Sequence, residues 1–129
     1  ADADPAALGA PFGLVVADLS FISLALVAPQ IRALGEGSTD WILLVKPQFE
    51  AGKGSVGSGG IVRDPEVHAQ AIEQVVAALD TVGVGAIGLV ASSISGTRGN
   101  REFLIHGRIT DRLIDAGTVR CVVSEEPQL

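Results

Sequence analysis

Two short apolar runs, each ended by a single charged residue, constrain this chain more than any other feature. Leu14-Val15-Val16-Ala17 stops at Asp18, and Ile42-Leu43-Leu44-Val45 stops at Lys46. Continuous apolar runs of this length read as strands buried on both faces, the pattern of a parallel sheet covered by helices. In such a sheet ligands sit beyond the carboxyl ends of the strands, so the polar residues at those ends are the first functional candidates.

The rest of the chain supplies the connections. Residues 22–34 carry Ile22, Leu26, Ile31 and Leu34 before Gly35, which predicts a helix with a kink at Pro29. Pro47 halts the second strand and biases Lys46 towards an extended backbone. Residues 47–63 hold Gly52, Gly54, Gly57, Gly59 and Gly60 with no regular period. They read either as a lid over Lys46 or as a surface loop. Asp64 can cap the strongest helix; Pro65 suits its first turn, Val67, Ala71, Ile72, Val75, Val76, Leu79 and Val82 give it one apolar face, and Gly83 ends it. His68 falls on the polar side of that helix. A third strand follows at 86–91 and a fourth at 102–108, separated by the turn-rich SSISGTRGN, with a short helix expected around 119–126.

Strands one, two and three are linked through helices and should run in one direction with right-handed crossovers. The third-to-fourth connection is too short for a parallel crossover, so the last strand should be reversed. The expected fold is α/β: a partial Rossmann-like sheet, mostly parallel with an antiparallel last strand, and helices on both faces.

Composition narrows the class. Hydrophobic residues make up 47% of the 129 and charged residues 19%, which excludes a disordered-chain composition. The apolar runs are far shorter than the roughly 20 residues of a membrane span. The first residues lack the basic segment of a signal peptide, and the chain has no Met, so it is expected to be an internal piece of a longer protein. The single Cys121 excludes an internal disulfide; it reads as a small buried hydrophobe in a reducing, cytoplasmic setting. Net charge is −6, with the acidic excess near the two ends, so any nucleic-acid contact must be local or supplied by another domain.

Asp18 and Lys46, at adjacent strand ends, place an acid and an amine within interaction range; a structural ion pair would give the same pattern. Phe21, three residues after Asp18, could cover a bound cofactor or begin the following helix as a core residue. Glu102 could be a solvated strand-end acid. Lys53, Arg63, Arg98 and Arg101 flank the Gly-rich loops and suit phosphate contact, although ordinary surface charge has the same appearance. His68 and His106 have no Cys or carboxylate cluster at ligand spacing, so no metal site is read. Residues 52–57 and 83–88 both match GxGxxG, but neither follows a strand and opens a helix, so neither is a dinucleotide fingerprint.

VVADLSFISL, LLVKPQFEAGKGSVGSGGIVRDPEVH and SSISGTRGNREFL, in this order and spacing, resemble the later half of the TlyA (hemolysin A) family within the FtsJ-like methyltransferases. The likeness runs over residues 12–108. It implies S-adenosylmethionine-dependent methylation of ribose 2′-hydroxyls in ribosomal RNA, and a Lys-Asp-Lys-Glu tetrad. Within that resemblance Asp18, Lys46 and Glu102 match the last three members, and Asp18 would also lie near the sulfonium centre of the cofactor. Lys46 would orient the ribose hydroxyl and help remove its proton.

The family's leading lysine, its Gly-rich cofactor loop and an S4-like RNA-binding domain would precede residue 1. Residues 1–129 are therefore expected to be the C-terminal half of an FtsJ-like domain, inactive alone and exposing a sheet edge through which it would form a homodimer. The competing readings are a non-catalytic assembly fragment and a small-molecule methyltransferase.

Overall fold

The two apolar runs form neighbouring parallel strands. In a computed structural model that describes residues 4–51, 60–94 and 99–125, they are β1 (Leu14–Ala17) and β2 (Asp40–Val45), in register from Leu14 opposite Asp40 to Ala17 opposite Leu43. Between them lies α1 (Ala28–Arg32); after β2 come α2 (Pro47–Glu50), α3 (Pro65–Thr81), β3 (Gly85–Ala91), β4 (Phe103–Arg108) and α4 (Ala116–Ser124). The sheet order is β1-β2-β4-β3. β4 pairs antiparallel with both β2 and β3, so the other three strands share one direction and the reversed strand is inserted between two of them.

Burial corrects one expectation. The strands alternate: Val15, Ala17, Trp41, Leu43, Val45, Phe103 and Ile105 point into the core, whereas Leu14 and Val16 are 60% and 65% exposed. Ile42, Leu44 and Leu104 share the outward face and are half-buried. Among the described residues β1 is therefore packed on one side only, where burial on both was expected. An apolar run alone cannot distinguish a strand packed on both sides from one packed on a single side.

The covered face is built by α3 and α4. Ala71, Ile72, Val75, Val76 and Leu79 of α3 join Val119, Val122 and Val123 of α4 in one cluster with the sheet. Trp41 is fully buried and donates its indole N–H to the Ile31 carbonyl at 3.0 Å, which docks α1 on the same face. Gly107 stands opposite Trp41 in the ladder, and a Cβ there would come within 2.7 Å of Val84.

Asp64 caps α3 by accepting from the Glu66 amide, Pro65 fills its first turn, and Gly83 follows it with φ +84°, as its sequence signals required. The helix expected over 22–34 shrinks to Ala28–Arg32. Pro29 falls in the first turn of α1, where its missing N–H costs nothing, so it starts the helix instead of kinking a longer one. His68 is buried and not on a polar side, and Cys121 is exposed and not a core residue. No described helix is long and apolar enough to cross a membrane.

Candidate active site

At the carboxyl ends of β1 and β2 the chain turns into two polar segments that face each other. Lys46, the residue before α2, directs its ammonium to Asp18 at 2.5 Å and to the Ser20 hydroxyl at 3.2 Å. The lysine side chain is only 12% exposed while that of Asp18 is 64% exposed, so the amine is sheltered and the acid reaches the surface. Pairing compensates the partial burial of the charge.

Glu102 approaches from the reversed strand. The β2–β4 ladder ends with Val45 opposite Phe103, so Lys46 and Glu102 are the residues next beyond its last pair, one after β2 and one before β4. Glu102 is buried, and its carboxylate accepts from the Gln48 side-chain amide at 3.1 Å. Asp18 and Lys46 thus meet as an ion pair, and Glu102 lies one residue beyond the same end of the β2–β4 ladder.

Phe21 is neither buried nor in a helix. Its ring is 89% exposed and lies 5.0 Å from that of Phe49, and its backbone sits at φ +64°, a conformation uncommon for a non-glycine residue. Strained residues of this kind cluster at functional sites. The expectation of a core residue is overturned.

The basic residues divide. Lys53 and Arg98 lie outside the described residues. Arg63 is exposed, just before the cap of α3. Arg101 turns inward: it donates to the Val123 carbonyl at 2.7 Å and stacks over the Phe103 ring at 5.3 Å. It ties α4 to β4, a packing role that the sequence does not announce.

Three polar residues that sequence reasoning did not single out organise the surroundings. Glu50, at the end of α2, is buried; it accepts from the Ser23 hydroxyl at 2.5 Å and the Leu24 amide at 2.7 Å. Gln48 holds Glu102. Asn100 is 2% exposed, accepts from the Val62 amide at 2.9 Å and donates to the Gly60 carbonyl at 3.0 Å, fastening the end of the Gly-rich segment beside Glu102. His68 secures the other side of Val62, contacting its carbonyl at 2.8 Å. Burial holds the His68 imidazole below its usual titration range, with Arg101 adding to the shift. Each of these residues lies in a stretch that reads as polar loop or helix surface until its distant partner is known.

A second charged group occupies the opposite end of the same ladder. Asp40 receives His106 at 2.7 Å and Arg108 at 3.3 Å. The hydrogen bond from His106, and next the charge of Arg108, hold the Asp40 carboxyl below its ordinary value. Among the described residues no group of His, Cys, Asp and Glu could hold a metal ion.

A sequence profile described as FtsJ-like methyltransferase matches residues 2–109. The chain is 42% identical over 128 residues to the 16S/23S rRNA (cytidine-2′-O)-methyltransferase TlyA of Mycobacterium tuberculosis, covering 95% of this chain and 48% of that protein. It is 36% identical over 93 residues to hemolysin A of Brachyspira hyodysenteriae, covering 72% of this chain and 39% of that protein. A solved structure of a candidate hemolysin from Streptococcus thermophilus superposes with a TM-score of 0.86 at 33% identity, over 95% of this chain and 46% of that one. Another, from Lactococcus lactis, gives 0.84 at 35% identity, over 96% and 62%. The chain thus spans about half the length of its TlyA relative. The match over residues 2–109, most of the chain, makes it a member of the FtsJ-like methyltransferase family.

Proposed function

We propose that this chain carries the catalytic-centre half of an S-adenosylmethionine-dependent methyltransferase acting on ribose 2′-hydroxyls of ribosomal RNA in the cytoplasm. The observation that carries the reading is the sheltered Lys46, in contact with Asp18 where the parallel strands end, with Glu102 one residue beyond the last pair of the β2–β4 ladder.

Asp18 and Phe21 suit the cofactor: an exposed carboxylate can face a sulfonium cation, and an exposed ring can lie against a planar base. When bound, the cofactor supplies an electrophilic methyl group. Lys46 hydrogen-bonds the ribose oxygen, aligns it for in-line attack and helps remove the hydroxyl proton. Asp18 and Ser20 fix the direction of the Lys46 amine. Glu102, steered by Gln48, orients the ribose from the other side. Arg63, exposed before the cap of α3, is assigned to backbone phosphate; Lys53 and Arg98, outside the described residues, carry the same assignment from the sequence alone. Residues 1–129 form the C-terminal half of the methyltransferase domain, and the piece by itself does not turn over.

The test is transfer of labelled methyl groups to ribosomal RNA by the complete protein. Lys46→Ala should abolish it while calorimetric cofactor affinity stays close to wild type; retained methylation would falsify the role of Lys46.

A second reading concerns the chain alone. β1 is an edge strand, and Leu14, Val16 and, on β3, Val90 at 56% exposure give the uncovered face an apolar surface. Such surfaces favour self-association, here as a homodimer through β1. Light scattering on residues 1–129 should find a dimer or larger species, and a stable monomer would defeat this reading.

A further inference from the structure

We propose that α2 (Pro47–Glu50) is a brace that sets the geometry of the catalytic groups, with Glu50 and Gln48 as its positioning residues. The inference rests on the catalytic roles proposed for Asp18, Lys46 and Glu102. A helix of four residues has almost no stability of its own, so something else must fix its orientation. Lys46 is the residue on which this helix starts, and any tilt of α2 therefore swings the Lys46 amine.

Two side chains reach out from α2 to the elements that carry the other two groups. Gln48 spans 54 positions of sequence to donate to Glu102. Glu50 spans 26 and 27 positions to bind the Leu24 amide with one oxygen and the Ser23 hydroxyl with the other. Ser23 and Leu24 belong to the segment that leaves β1 through Asp18, Ser20 and Phe21, so the Glu50 carboxylate ties to α2 the same segment that supplies both Lys46 contacts. The Phe21 and Phe49 rings meet on the same seam. Each bond involves a carboxylate, the stronger class of hydrogen bond. Burying Glu50 is unfavourable unless both oxygens are satisfied, and its two partners both come from the Asp18 segment.

A purely structural role for Glu50, ending the turn before α1, predicts lower stability but an unaltered Lys46 in folded molecules. The experiment therefore reads two quantities in the complete protein: the rate of rRNA methylation, and the proton–nitrogen resonance of the Lys46 ammonium, assigned by its loss in Lys46→Arg. Glu50→Ala should lower kcat by about 10-fold to 100-fold, as expected for a misplacement near 1 Å, and should shift or broaden the Lys46 resonance. Glu50→Gln, whose amide oxygen still accepts from Leu24, should recover most of the rate, and Gln48→Leu should lower the rate by freeing Glu102.

A folded Glu50→Ala variant with an unchanged Lys46 resonance, or with the wild-type rate, overturns the proposal. Should Glu50→Ala fail to fold, Ser23→Ala decides: it removes one bond only, and wild-type behaviour in both readouts overturns the brace. Absence of rRNA methylation by the wild-type protein would sink the functional reading instead, while the resonance comparison would still test the geometry.

Discussion

The two ends of the β2–β4 ladder carry the same kinds of residue and differ in almost everything else. At the amino end of β2, Asp40 meets His106 and Arg108 of β4, all at least a third exposed. At the carboxyl end the polarity is mirrored, with the base Lys46 just after β2 and the acid Glu102 just before β4, and here both are sheltered. The first cluster is held within the strands themselves. The second is held by loops, which are fastened in turn by Glu50, Gln48 and Asn100. Charged groups at the ends of a sheet are common; what separates these two ends is shelter and the buried polar scaffold behind one of them.

The largest expected break in the comparison sets Lys46→Ala beside Arg108→Ala. The first should lower rRNA methylation by about 10²–10⁴-fold, the usual span for a general acid–base group, and the second should leave it at the wild-type rate. Equal losses would erase the distinction between the ends. Glu102→Gln comes next: it keeps a hydrogen-bonding group beside Gln48 but removes the charge, and single-turnover kinetics should show a smaller loss than Lys46→Ala.

The expectations drawn from sequence alone were uneven for physical reasons. β1, β2 and α3 were legible because their signals are local: an apolar run, a cap, a proline in the first turn, a glycine after the last. The insertion of β4 between β2 and β3 was not, because it depends on pairing between residues some 60 apart in sequence, such as Leu43 and Ile105. Asp18 and Lys46 could be singled out as charges ending apolar runs. Glu50 and Asn100 could not, since a polar residue beside glycines reads as solvated until its partner arrives from another element. Phe21 was misjudged for the converse reason: aromatic character suggests burial, and only the backbone shows that it stands outside.

Protonation gives smaller effects that sharpen the same contrast. His68 packs beneath the active end and is kept neutral by burial, so between its lowered folded value and the unfolded value near 6.5 the unfolded chain binds more protons. Stability to denaturant should therefore fall as pH drops from 7 through that interval, and His68→Gln should flatten the dependence. Asp40 is the opposite case. Its folded value lies below 3.8, so its contribution is present above that pH and is lost as pH falls through the folded value. Asp40→Asn should remove only this acid-limb component, the smallest effect of the set, measurable as a loss of slope in urea midpoints below about pH 4.

The backbone of Phe21 has a consequence for how this sequence can change. A left-handed conformation costs an ordinary residue about 1–2 kcal/mol relative to glycine. Glycine at position 21 would thus make folding easier, and the substitution is a single step from a relaxed chain. A screen that rewards heat resistance alone should find that step early and delete the ring. A screen that rewards methyl transfer should refuse it, so the fate of this one position would report which pressure a population of variants had experienced.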